Sequence, residues 1–81
     1  MSRLKHSYYL VEGHLGGDYF KKVTDDPYQE DDIQEICDEC GDNDWIVGEF
    51  STYEEGINLI RAQRYNPDYC AEMERKIYKL D

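Results

Sequence analysis

A chain of 81 residues bounds the protein to one domain with a modest core. Eight Tyr, two Phe and one Trp argue against a disordered acidic tail, and no stretch is long and apolar enough to span a membrane. A net charge of −10 excludes adsorption to nucleic acid or anionic lipid and makes proteins with basic grooves the natural partners. Three cysteines suit a reducing compartment, and the N-terminal stretch lacks the apolar core of a signal peptide, so a cytoplasmic location is expected.

Residues 7–13 and 18–24 are rich in aromatic and β-branched types. The Gly16-Gly17 pair between them offers the positive φ angles of a tight connection, so a β-hairpin is predicted. In its first strand Tyr8 and Leu10 share one face, Tyr9 and Val11 the other, and either pair suits a core. Asp26-Pro27-Tyr28-Gln29 then supplies an N-cap acid, a proline at the first helical position and the glutamine of a capping box. Ile33, Ile36, Cys37 and Cys40 recur at i, i+3, i+4 and i+7, with Gly41 at the C-cap. This spacing predicts a helix over 27–40 with both cysteines on its buried stripe.

Asp42-Asn43-Asp44 reads as a turn and residues 45–50 as a third strand, with Ile46 and Phe50 toward the helices and Gly48 allowing close approach. Two overlapping capping boxes, Ser51 with Glu54 and Thr52 with Glu55, start the next helix, whose apolar face is Tyr53, Gly56, Ile57 and Ile60. Asn66-Pro67 repeats the cap-then-proline device and predicts a last helix over 67–79, lined by Tyr69, Cys70, Met73, Ile77 and Leu80. The order is ββαβαα. It implies a single α+β domain over 1–81, a three-stranded antiparallel sheet with helices packed on one face.

Catalytic chemistry finds little footing. There is no nucleophile elbow, phosphate loop or H-E-x-x-H, and carboxylates on a solvated face have nothing to split their pKa values, so no enzymatic activity and no cofactor are expected. The acids around Gly41 miss the register of an EF-hand loop. Cys37-Asp-Glu-Cys40 reads as core, because free cysteine on an apolar stripe behaves as a small hydrophobe. A redox pair belongs at a helix N-terminus, whereas this one falls at a C-terminus among acids. No metal site is assigned. A zinc-stabilised module would recruit Cys70 and His6 or His14 to Cys37 and Cys40.

Charge is the strongest signal. Residues 23–60 hold thirteen carboxylates and no lysine or arginine, a local charge of −13, which leaves +3 for the remainder. Acids at Asp38 and Glu39 would oppose the dipole of the helix predicted there, a conflict of the kind that function imposes. Duplex DNA presents one charge per about 1.7 Å of axis, and an ordered row of carboxylates imitates that array. The expected partner surface is Glu30, Asp31, Asp32, Glu35, Asp38, Glu39, Asp42 and Asp44, with Tyr28 and Trp45 as aromatic anchors. In size, acidity and tyrosine content the chain is similar to phage-encoded inhibitors that imitate DNA, including anti-CRISPR proteins. That resemblance implies inhibition of a host nucleic-acid-binding protein through its basic groove, without direct contact to nucleic acid or membrane. The alternative is an adaptor that binds a partner or a second copy through an apolar sheet patch of Tyr9, Val11, Trp45 or Val47.

Overall fold

The computed structural model describes residues 3–80. Its elements are β1 (Arg3–Glu12), β2 (Tyr19–Lys22), α1 (Gln29–Ile33), β3 (Trp45–Thr52), α2 (Tyr53–Gln63) and α3 (Pro67–Ile77). The predicted ββαβαα order and antiparallel sheet are present, with β1 central in the order β2-β1-β3. Among the described residues no helix is long and apolar enough to cross a membrane.

Helices α2 and α3 form the predicted layer on one sheet face. Leu10, Phe50, Ile60, Met73 and Ile77 meet there, almost fully excluded from water, with Leu4 and Tyr8 beside them. Burial of this apolar area is the main stabilising term. Gly56 makes the fit possible, since a Cβ there would stand 2.2 Å from Ile77 Cδ1 and 2.8 Å from a Phe50 ring carbon. Both helix starts follow the sequence. Thr52 Oγ1 accepts the Glu55 amide, and the Asn66 side chain accepts the amides of Asp68 and Tyr69.

The opposite face is also covered. Tyr9 and Val11 are buried, although they point away from α2 and α3, because residues 24–44 fold back over them. The exposed apolar sheet patch of the adaptor reading is therefore closed at Tyr9 and Val11 and half-buried at Val47. Only Trp45 is open, at 59% exposure. A register shift between Leu10 and Val11 redirects the start of β3. Leu10 pairs with Gly48 but Val11 with Ile46, so Val47 is the extra residue. Ile46 consequently shares the Val11 face, and Val47 packs toward the helix-side core in its place.

The long first helix is where the structure departs from the sequence reading. Helix α1 covers only Gln29–Ile33, and Gln34 ends it. Asp26 Oδ1 accepts the Tyr28 amide as a turn residue, not as an N-cap, and Gln29 turns inward. The Gln29 side chain donates to Lys22 O at 2.7 Å and accepts the Thr24 amide at 2.8 Å, fastening the start of the excursion to β2. Gln34 Oε1 then accepts the Ile46 amide, fastening the other end to β3. The intervening Asp, Cys and Gly residues are poor helix formers, and acids at the C-terminal end weaken a helix further. The dipole conflict inferred at Asp38 and Glu39 disappears with the helix that was to carry it.

Candidate functional site

Beyond α1 the chain makes a narrow loop instead of a helix. An isolated bridge pairs Ile36 with Asn43, the Cys37 amide donates to Asp42 O at 2.7 Å, and the Gly41 amide donates to Cys37 O at 2.8 Å. Gly41 closes the turn at φ +74°, a left-handed backbone that glycine tolerates without strain. The glycine pair of the hairpin, by contrast, does not use positive φ.

This loop moves both cysteines out of the place the periodicity assigned them. Cys40 is exposed, Cys37 half-buried, and Ile36 is 64% exposed, so there is no buried stripe. Cys70, the third thiol, lies apart on α3, where its sulfur meets Arg64 O at 3.4 Å.

His14 arrives from the β1–β2 connection. Its donor nitrogen and the two sulfurs of Cys37 and Cys40 all lie within 4.8 Å of one another. Asp44 fixes the ring: Oδ1 stands 2.5 Å from His14 Nδ1 and accepts the His14 backbone amide at 3.0 Å, while Oδ2 accepts the Tyr19 hydroxyl at 2.6 Å. With Nδ1 engaged, Nε2 is the available nitrogen; it is buried and has no hydrogen-bond partner among the described residues.

The electrostatics follow from these contacts. The His14 ring, then the Cys40 and Glu39 amides, draw the Cys37 thiol down to about 7. At Cys40 the Asp42 amide pulls the same way, but the adjoining Cys37 sulfur, burial and the Asp42 carboxylate outweigh it and the thiol rises. His14 is raised by Cys37 and then by Asp44. The Tyr19 hydroxyl, followed by His14, holds the Asp44 carboxyl below its ordinary range, and burial beside Asp44 pushes Tyr19 up to about 12.

The acidic surface keeps most of its predicted members. Glu30, Asp31, Asp32, Glu35, Asp38, Glu39 and Asp42 are exposed, and Tyr28 and Trp45 are open at 67% and 59%. Asp44 leaves the set, because His14 and Tyr19 occupy both its oxygens. Trp45 and Asp42 flank a shallow cleft of about 250 Å³, which places an aromatic ring beside the carboxylates. The carboxylates lie on one helical turn and a loop, not on one helical ridge.

The sequence reading named His14 only as one alternative ligand of a zinc-stabilised module, and missed that Asp44 holds its ring and also accepts from Tyr19. The C-x-x-C-G spacing, with the left-handed glycine immediately after the second cysteine, was the available signal. No family model matches the chain, and no curated protein or solved structure matches it significantly.

Proposed function

We propose that the protein is a binding protein, not an enzyme, whose acidic excursion occupies the basic nucleic-acid groove of a partner protein in the cytoplasm and excludes nucleic acid from it. One observation carries the reading. Seven carboxylates between Glu30 and Asp42 are exposed together, and none is ion-paired with a lysine or arginine among the described residues. A concentrated negative surface left without internal counter-charge attracts a basic groove and releases its counterions on binding. Trp45 and Tyr28 at its margins supply rigid aromatic area of the kind that anchors an interface. The phage inhibitors that the chain resembles in composition act on host defence proteins, and such a nuclease is the partner class proposed.

The test is competition. Nucleic-acid-binding proteins retained on the immobilised chain at low salt are expected to elute with duplex DNA and with rising salt. The triple reversal Glu35→Lys, Asp38→Lys, Asp42→Lys is expected to abolish their retention without unfolding the chain. Retention that is indifferent to DNA and survives the reversal would sink the proposal.

A further inference from the structure

We propose that His14, Cys37 and Cys40 form a zinc site that staples the acidic excursion to the β1–β2 connection, with Asp44 as the positioning residue that presents the histidine. The donors are already gathered within 4.8 Å. In tetrahedral zinc coordination, with Zn–S of about 2.3 Å and Zn–N of about 2.0–2.1 Å, neighbouring donors stand roughly 3.5–3.8 Å apart. Closing onto an ion requires a contraction of about 1 Å, which small side-chain rotations on an exposed loop supply.

The donor set selects the metal. Two sulfurs and one imidazole suit zinc and disfavour magnesium or calcium, which take oxygen ligands. Two thiolates also neutralise the ion, so the site adds no charge to the surrounding acidic surface. Three protein donors leave a fourth position for water or an external donor.

A further observation favours coordination over a pair of incidental thiols. Asp44 receives His14 Nδ1, and a carboxylate on the far nitrogen is the arrangement that orients a metal-ligating histidine and leaves Nε2, here buried and unpartnered, for the ion. A thiol–disulfide couple would leave the fixed histidine without a role, and a core role does not fit a cysteine that is exposed. The physical gain lies in topology. The excursion lacks an apolar core of its own comparable to the helix side, and one ion would tie its loop to the hairpin, closing a long chain segment. The inference does not rest on the acidic-groove reading, since zinc uptake is measured without any partner.

The test uses the full chain, grown with zinc and purified in reductant without chelator. Elemental analysis is expected to find about one zinc per chain, and cobalt substitution to give thiolate-to-cobalt charge-transfer absorption. Cys37→Ser and Cys40→Ser should each abolish that absorption, Cys70→Ser should leave it intact, and Asp44→Asn should weaken metal affinity about 10–100-fold. In the wild-type chain, 15N NMR of the imidazole should show Nε2 shifting on metal addition while Nδ1 keeps its proton, a readout independent of whether a His14 variant folds. Zinc far below stoichiometry without charge-transfer absorption, an unmoved His14 ring, or equal losses in the Cys70 and Cys37 variants would each overturn the site. A Cys37–Cys40 disulfide that persists in reductant would do so as well.

Discussion

The two faces of one small sheet are closed by different physics. Under α2 and α3 the closure is apolar: Leu10, Phe50, Ile60 and Ile77 exclude water, and the contacts depend on shape. Under residues 24–44 it depends on specific polar links, with Gln29 bridging to β2, Gln34 to β3 and Asp44 to His14 and Tyr19. The contrast teaches how a slab of 41 × 31 × 18 Å with limited apolar content orders an acidic segment. Hydrophobic residues suffice for one core, and directional contacts hold the other side. Polar links also suit a surface that must present charge, because they need no apolar stripe among the carboxylates.

Each face is open to perturbation by itself, and the largest effect is expected on the apolar side. Phe50→Ala should cost about 3–5 kcal/mol in denaturant unfolding, lowering the transition of the whole domain. If only the excursion loosened, the assignment of the core to the helix face would be wrong. Gly56→Ala should cost about 1–3 kcal/mol by overpacking against the Phe50 ring, again globally.

Removing the Gln29 link should give a smaller and local effect. Gln29→Ala leaves the Thr24 amide and Lys22 carbonyl unpaired near a buried position, for a cost of about 1–3 kcal/mol. Hydrogen exchange should quicken across residues 24–44 and stay unchanged in α2 and α3. Uniform quickening would show that the two faces unfold as one unit and erase the distinction drawn between them.

Each face also carries one tyrosine–aspartate pair, Tyr69 with Asp18 on the helix side and Tyr19 with Asp44 on the excursion side. Burial, then the aspartate, raises both phenols above the ordinary value of 10. A raised folded pKa means that the native state keeps a proton the unfolded chain loses. Stability from these pairs is thus fully present below pH 10 and declines as pH rises above it, through about 12 for Tyr19. Tyr19→Phe should remove the excursion's share, so that its exchange rates no longer respond specifically to alkali. The smallest effect is at acid pH. Amide donation from Ser51, with Thr52, holds Glu55 below 4.5, so its contribution is present above that pH and is lost as pH falls. Glu55→Gln should flatten that limb of the thermal stability curve slightly.

Much of the helix side was legible in the sequence because its signals are local. Thr52 and Asn66 cap their helices through atoms three residues away or fewer, and the stripe of Met73 and Ile77 needs only the helical period. The Ile33, Ile36, Cys37, Cys40 spacing satisfied the same period and yet does not form that helix. Low propensity in an acid- and glycine-rich stretch, together with competing bonds from Gln29 and Gln34 to distant strands, outweighed it. Of the candidate surface, the exposed carboxylates were readable from charge alone. The inward turn of Asp44 was not, since it depends on His14 and Tyr19 arriving from another part of the chain.

The sequence by itself determined the order of elements, the apolar stripes of α2 and α3 and the segregation of negative charge, all of which arise from residues close along the chain. Only the tertiary structure decided that both sheet faces are covered, that a one-residue bulge exchanges Ile46 for Val47, and that His14 meets Cys37 and Cys40. Those outcomes depend on pairing register and on loops that return to the sheet, where contacts between distant residues prevail over the local pattern.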